Sequence, residues 1–242
     1  MGTAAQAVLC FVDDPKTHLK LLTEATWKPG LDGTACARST ATGSLRRRLL
    51  KAVDTSLLNQ TGVVHFSIIR HPVERFVSAW LDVCHDHRSH KAAWCYGCGE
   101  NLLCFILNNY WQTQRHAQRL PLKRWHREWH FYPQTWYCNF GAQLKHYKLL
   151  IYNRNQQFYN SFLDILDKSS VPRDVIEVLN RTLTKKTTIH QTFGSNREIR
   201  SAIYNNDLLA YVLYNTYVLD FQMLNFSFYS QNVTQMIGKK KQ

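Results

Sequence analysis

One stretch, residues 63–80, constrains the fold more than any other, because within it a strand pattern changes to a helix pattern. Val63 to Ile69 is rich in β-branched and aromatic residues, which is typical of a strand buried in a sheet. Arg70 ends that strand. Pro72 suits the first turn of a helix, since its fixed φ matches the helix and its missing N–H is not needed there. The stretch therefore predicts a strand, a tight turn and a helix that begins at Pro72.

The predicted helix has two different faces. Apolar residues recur at helical spacing along one side, and polar residues recur every four positions along the other. The apolar set is Val73, Phe76, Val77, Trp80 and Cys84, and the polar set is Glu74, Ser78 and Asp82, with Arg75 beside it. One side is therefore expected to pack in the core and the other to border a site.

The junction between this strand and this helix is suited to a bound anion. In open α/β sheets, ligands bind beyond the carboxyl ends of strands, where helix N-termini offer N–H groups and a positive dipole. Arg70 can hold phosphate oxygens through a bidentate fork, and Ser78 can add a hydroxyl from the same side of the helix. The spacing fits equally an arginine and a serine on an ordinary solvated helix face, so both interpretations stand.

Three separated motifs together resemble one family. Arg70-x-Pro72-x-x-Arg75-x-x-Ser78-Ala79-Trp80 resembles the 3′-phosphate-binding motif of Golgi carbohydrate sulfotransferases, in particular the chondroitin 4-O-sulfotransferase-like group and its nematode-type relatives. Residues 130–138 are similar to a His-aromatic-x-Pro-Gln segment of that group. Residues 217–221, followed by Phe226, resemble its closing Tyr-x-x-Asp-Phe helix. The likeness covers most of the chain after Gly62.

This resemblance implies a fold, a donor and site residues. The fold is α/β, a P-loop-like sulfotransferase domain with a central, mainly parallel sheet flanked by helices. The donor is 3′-phosphoadenylyl sulfate (PAPS), whose 3′-phosphate would be held by Arg70 and Ser78. A base must also deprotonate the acceptor hydroxyl, and His130 is the candidate because a neutral imidazole accepts a proton near neutral pH. Related enzymes use Glu or His, so Glu74 stays an alternative.

The first residues of the chain resemble the tail of the family's 5′-phosphosulfate loop and the helix after it. This similarity makes Gly2 and Thr3 candidate donor-binding residues. In the family a Lys-Ser pair stands just upstream, and that lysine is absent from this sequence. An incomplete N-terminus and impaired transfer are therefore expected. The alternative is an ordinary amphipathic first helix.

Length and composition favour one folded domain. A chain of 242 residues can form a single substantial α/β domain, and 45% hydrophobic with 13% aromatic residues supply a core and ring-lined clefts. We assign residues 1–236 to a sulfotransferase-like domain. Residues 237–242, which include three consecutive lysines, are expected to form a basic disordered tail.

The charge predicts a polyanionic partner. The formal net charge is +13, from 30 Lys and Arg against 17 Asp and Glu, and a field of that sign concentrates anions. Nucleic acid, anionic membrane and acidic glycan all fit this charge. Asn-x-Ser/Thr triplets at Asn59, Asn180, Asn225 and Asn232 favour a lumenal glycoprotein, although such triplets also arise by chance. In that compartment an acidic glycan or proteoglycan becomes the better partner than nucleic acid.

The seven cysteines allow two interpretations. They are Cys10, Cys36, Cys84, Cys95, Cys98, Cys104 and Cys138. Residues 84–104 hold a Cys-x-x-Cys pair with further Cys and His, which is a usual spacing of zinc ligands and would suit a nucleic-acid module. No second Cys-x-x-Cys completes a four-ligand site, and an oxidising compartment favours bridges. Disulfides, with no bound metal, are therefore preferred.

The predicted function is transfer of a sulfuryl group from PAPS to a glycan hydroxyl. The alternative is a non-catalytic basic glycan-binding protein with a degenerate nucleotide site. No apolar run in the sequence is long enough to span a bilayer, and no signal peptide is visible. Membrane attachment is therefore expected only through an N-terminal anchor absent from this sequence, in a Golgi-lumenal type II or secreted protein.

Overall fold

A computed structural model describes residues 64–85, 94–118, 130–137, 140–153, 155–183 and 195–228, together with residue 12. The chain divides into two compact units. The first unit comprises residues 1–69 and 138–191, and the second comprises residues 70–137 and 192–242. Each unit contains its own cluster of buried apolar side chains.

The described residues form two short strands and eight α-helices. In chain order they are β1 (Phe66–Ile69), α1 (Pro72–Trp80), α2 (Leu102–Ala117), α3 (Phe140–Gln143), β2 (Lys148–Ile151), α4 (Gln156–Lys168), α5 (Arg173–Leu183), α6 (Ser195–Tyr204), α7 (Asp207–Thr216) and α8 (Val218–Met223). A π-helical turn spans Leu81–His85, and 3₁₀ turns span Trp94–Gly97, Gln134–Trp136 and Leu144–His146. The α/β class with a parallel sheet is confirmed. The boundary at residue 236 and the basic tail lie outside the described residues.

The first unit is built on the parallel pair of strands. β1 pairs with β2 from Phe66 opposite Lys148 to Ile69 opposite Ile151. α4 begins where the Asn155 side chain accepts a hydrogen bond from the Phe158 N–H at 2.9 Å, which satisfies a donor of the first turn. Apolar residues at helical spacing on α4 and α5 then pack into the core of this unit. They are Phe158, Phe162, Ile165, Leu166, Val175, Leu179 and Leu183.

The second unit packs its helices around the apolar side of α1. This helix starts at Pro72, as predicted, and its residues Val73, Phe76, Val77 and Trp80 are buried. Periodicity alone could not decide whether residues 102–111 form a helix or a strand. They form the first part of α2, which begins where the Asn101 side chain accepts from the Cys104 N–H. α2 packs against α7, and α6 packs against α1.

Two disulfides follow α1. Cys84 is bonded to Cys95, and Cys98 is bonded to Cys104. The predicted disulfides are therefore present, and these four sulfur atoms are unavailable as zinc thiolates. In the described part of the chain no group of three or more His, Cys, Asp or Glu side chains is arranged to hold a metal. Cys10, Cys36 and Cys138 lie outside it.

The C-terminal helix differs from the prediction. The sequence predicts one helix through residues 208–221, but the structure has α7 and α8 with a break at Tyr217, whose φ is −115° and ψ is 23°. The break follows from tertiary contacts, because the Tyr217 ring is buried and its hydroxyl donates to a distant carbonyl. Within the described ranges no helix is long and apolar enough to cross a bilayer.

Candidate active site

Arg70 lies at the connection between β1 and α1. Its side chain is 21% exposed, and a guanidinium nitrogen approaches a carboxylate oxygen of Glu74 at 3.8 Å. His71 occupies the N-cap of α1 without capping it through its side chain, and Pro72 begins the helix. The positive end of the helix dipole lies at this end, as in any α-helix, and the His71 side chain makes no capping hydrogen bond to the first-turn N–H groups. Arg70, His71 and the helix start at Pro72 thus follow one another as predicted, and the binding of an anion here stays a prediction.

A second arginine joins this junction from α6. Arg200 donates to the other carboxylate oxygen of Glu74 at 2.6 Å. Glu74 thus lies between two guanidinium groups, one on each oxygen. Both carboxylate oxygens of Glu74 are thus engaged by arginines, and its role as the alternative base stays a prediction. The three side chains carry a net charge of one positive unit.

Ser78 lies one helical turn beyond Glu74 on the same side of α1. The residue is half-buried, and its hydroxyl makes no hydrogen bond to another described residue. A hydroxyl in this position can serve a ligand as donor or acceptor. Arg70 precedes the helix and contacts Glu74, whereas Ser78 lies near the C-terminal end of α1 on the side of Glu74. Their joint role in binding a phosphate stays a prediction.

The segment 130–136 holds Arg70 through a side chain. The amide oxygen of Gln134 accepts from the Arg70 N–H at 2.9 Å, and the amide nitrogen donates to the Arg70 carbonyl at 2.7 Å. The side chain therefore pairs with both main-chain groups of Arg70, as a neighbouring strand would. Gln134 itself is 8% exposed.

Asp220 of α8 in turn holds that segment. Its carboxylate accepts from the Gln134 N–H at 2.7 Å, from the Thr135 N–H at 2.8 Å and from the Thr135 hydroxyl at 2.8 Å. Asp220 is fully buried. A buried carboxylate is tolerated when hydrogen-bond donors pair with its oxygens, and here three donors do so. The Asp of the Tyr-x-x-Asp-Phe motif therefore fixes the 3₁₀ turn that carries Gln134.

Two further contacts anchor the same segment. The hydroxyl of Tyr217 donates to the Phe131 carbonyl at 2.8 Å, and burial raises the pKa of Tyr217 far above its usual range, so it stays a neutral donor. The guanidinium of Arg75 donates to the Tyr132 carbonyl at 2.6 Å. The second arginine of the Arg-x-Pro-x-x-Arg motif is thus engaged by the protein main chain.

The candidate base His130 begins this anchored segment. It is half-buried and directly precedes Phe131, whose carbonyl is bonded to Tyr217. The structure brings the segment of His130 to Arg70 through Gln134, four residues further on. The role of His130 as base stays a prediction. The other donor-binding candidates, Gly2 and Thr3, lie outside the described residues.

Aromatic rings form a stack beside this segment. His116 of α2 stacks on Tyr132, with ring centroids 4.9 Å apart, and on Trp136 at 5.0 Å. His116 is exposed, and the other two residues are half-buried. His116 belongs to a stretch of basic and aromatic residues, 114–130, of which residues 119–129 lie outside the described part.

Sequence reasoning missed Arg200 and gave Gln134 and Asp220 no role. Arg200 lies 126 residues after Glu74 in the chain, so no local pattern connects the two. Gln134 and Asp220 both lie within the motifs that carry the family resemblance. Their place in these motifs was the sequence feature that could have indicated a role for them.

A pH dependence follows from His71. Burial lowers the pKa of His71 below the ordinary 6.5, against a smaller opposite effect of its hydrogen bond to the Ser227 carbonyl. The unfolded chain then binds the proton more strongly than the folded one, so this histidine removes stability as the pH falls below about 6.5. Urea unfolding measured from pH 7 to pH 5 should show a smaller decrease in the free energy of unfolding for His71→Phe than for the wild type. Equal slopes would contradict this assignment.

Comparisons with known proteins identify the family of the chain. The model of the Sulfotransferase family matches residues 1–227. The chain therefore belongs to the Sulfotransferase family, and its three quoted motifs all lie in the matched range.

Its relatives include proteins of Caenorhabditis elegans. The protein vep-2 is 31% identical over 134 residues, which cover 54% of this chain and 42% of vep-2. "Carbohydrate sulfotransferase chst-1" is 25% identical over 169 residues, 66% of this chain and 51% of that protein. The matched part is thus about half the length of these relatives or less. No solved structure matches the chain significantly.

Proposed function

We propose that the chain transfers a sulfuryl group from PAPS to a hydroxyl group of a glycan. The observation that carries this proposal is the pair of cations at the start of α1, where Arg70 and Arg200 both contact the Glu74 carboxylate, with Ser78 one helical turn further along the same side. The residues fit an anionic donor, because a partly exposed guanidinium and a hydroxyl that makes no hydrogen bond to another described residue are suited to phosphate oxygens. Membership of the Sulfotransferase family supports the reaction class.

In this reaction the acceptor oxygen forms a bond to sulfur while the bond between sulfur and the donor's phosphate oxygen breaks. The acceptor proton passes to His130, and the negative charge that develops leaves with the nucleotide bisphosphate. Catalysis of such a transfer depends mostly on positioning and on cations aimed at the spreading charge. Arg70 contributes to positioning by holding the 3′-phosphate.

Three observations support a carbohydrate acceptor. The relative chst-1 is described as a carbohydrate sulfotransferase. The stack of His116, Tyr132 and Trp136 presents partly exposed aromatic rings to solvent, and the apolar faces of sugar rings pack on such surfaces. The net charge of +13 favours an acidic glycan, because it concentrates polyanions at the surface.

We also propose that the protein works in the Golgi lumen or outside the cell. Disulfides persist in oxidising compartments, and the chain has two of them among its described residues. The glycosylation triplets at Asn180 and Asn225 begin with exposed residues, as modification in that compartment requires.

The donor assignment is tested with Arg70→Ala. This change should weaken binding of 3′,5′-bisphosphoadenosine about ten- to a hundredfold, as expected when a hydrogen bond to a charged group worth about 1.5–3 kcal/mol is lost. Binding of 5′-AMP, which lacks the 3′-phosphate, should change little. Isothermal titration calorimetry measures both affinities.

The matched control is Arg181→Ala, which removes the same side chain from an exposed position on α5. This control should leave both affinities unchanged. A wild-type protein that binds the two nucleotides equally well would refute the assignment of Arg70. Transfer of labelled sulfate from PAPS to a panel of glycans tests the reaction itself, and binding of glycan without transfer would favour a non-catalytic role.

A further inference from the structure

We propose that Gln134 is a positioning residue for Arg70, and that Asp220 holds Gln134 in its working orientation. This inference rests on the proposed function of Arg70 as the ligand of the 3′-phosphate. It assigns a task to two residues that touch no donor atom in the proposed mechanism, one from the His-aromatic-x-Pro-Gln segment and one from the Tyr-x-x-Asp-Phe helix.

The first step is the pairing of Gln134 with the Arg70 main chain. The two hydrogen bonds, at 2.9 and 2.7 Å, use both polar groups of the Arg70 backbone. Arg70 follows the last residue of β1 and precedes the helix, so neither regular element supplies these two partners. A paired backbone fixes the direction in which the side chain leaves the chain, and a bidentate fork depends on that direction.

The second step is the orientation of the Gln134 amide. The Arg70 N–H must meet an acceptor and the Arg70 carbonyl must meet a donor, so only one of the two amide orientations fits. The Asp220 carboxylate favours the same orientation. It accepts from the Gln134 main-chain N–H at 2.7 Å, and its oxygen lies 3.5 Å from the side-chain nitrogen. A rotated amide would place its oxygen against that carboxylate.

The third step is burial. Gln134 is 8% exposed and Asp220 is fully buried, so water does not readily replace these contacts. Asp220, Gln134 and the main chain of Arg70 are therefore expected to move together. Loss of the Gln134 amide would leave the Arg70 side chain itself intact. The Arg70 main chain, however, would be free to shift. A misdirected Arg70 guanidinium would lose part of its charge-assisted hydrogen bonds to the 3′-phosphate, which are worth about ten- to a hundredfold in affinity.

The test is Gln134→Met, which keeps the length of the side chain and removes both hydrogen bonds. We expect the preference for 3′,5′-bisphosphoadenosine over 5′-AMP to fall at least about tenfold, while the affinity for 5′-AMP stays near the wild-type value. The amide of Arg70 should also exchange its hydrogen faster. If this variant fails to fold, Gln134→Asn repeats the test, because its amide is one methylene too short to reach both groups.

The matched control is Tyr217→Phe, which removes the hydrogen bond to the Phe131 carbonyl from the same segment and leaves Gln134 intact. It should lower the melting temperature but keep the nucleotide preference and the exchange rate of Arg70. If both variants lower the preference equally, or if Gln134→Met leaves it unchanged, the positioning role is wrong. If the wild type shows no preference at all, the proposed function of Arg70 fails instead.

Discussion

Replacing His130 with alanine is expected to lower sulfate transfer by about 10²- to 10⁴-fold, the usual contribution of a general base. The affinity for 3′,5′-bisphosphoadenosine should stay close to the wild-type value, because the imidazole acts on the acceptor proton in the transition state and not on the bound nucleotide. Transfer of labelled sulfate under saturating donor and acceptor measures the turnover. Calorimetry on the same preparation measures the nucleotide affinity.

The pH profile separates a base from a structural histidine. In the wild type, transfer should fall at low pH as the imidazole is protonated, and His130→Ala should lose this acidic limb along with most of its activity. His146→Ala removes a histidine from a 3₁₀ turn of the first unit and serves as the control. Unchanged turnover in His130→Ala would remove it from the mechanism. Glu74→Gln would then be the next variant, although both oxygens of Glu74 engage arginines.

Local signals were sufficient to predict the elements that carry the site. The strand before Arg70 and the helix start at Pro72 were both predicted correctly, because β-branched residues and a proline at the first helical turn act within a few residues of each other. The parallel pairing of β1 with β2 also agrees with the α/β class that the resemblance implied. The strand and the helix start depend on neighbours in sequence and can be predicted from them, whereas the strand pairing followed only from the resemblance.

Long-range contacts were beyond sequence reasoning. The helix break at Tyr217 depends on a hydrogen bond to a carbonyl 86 residues away, and Gln134 meets Arg70 across 64 residues. Helix propensity carries no information on either contact, since tertiary contacts override it. The resemblance marked Gln134 and Asp220 as members of motifs. The structure shows their contacts, and these explain why the motifs contain an amide and a carboxylate.

Replacing Asp220 with alanine is expected to destabilise the protein by roughly 3–5 kcal/mol. The change leaves two main-chain N–H groups and the Thr135 hydroxyl without their acceptor in a fully buried position. A buried donor that loses its partner costs about 1–3 kcal/mol. Because a typical domain is stable by only about 5–15 kcal/mol, a loss of this size would unfold a substantial fraction of the molecules at elevated temperature. Urea unfolding followed by circular dichroism measures the change.

Two variants make this prediction specific to the acceptor role of Asp220. Asp220→Asn keeps the shape of the side chain and one acceptor oxygen, so it should be more stable than Asp220→Ala. It should stay less stable than the wild type, because the amide nitrogen replaces the second acceptor oxygen with a donor. Asp167→Ala removes an exposed carboxylate at the end of α4 and should change stability by less than about 0.5 kcal/mol, as is usual for surface positions. An Asp220→Ala variant as stable as Asp167→Ala would show that the 3₁₀ turn keeps its place without the carboxylate. In that case Gln134 would pair with the main chain of Arg70 without the help of Asp220.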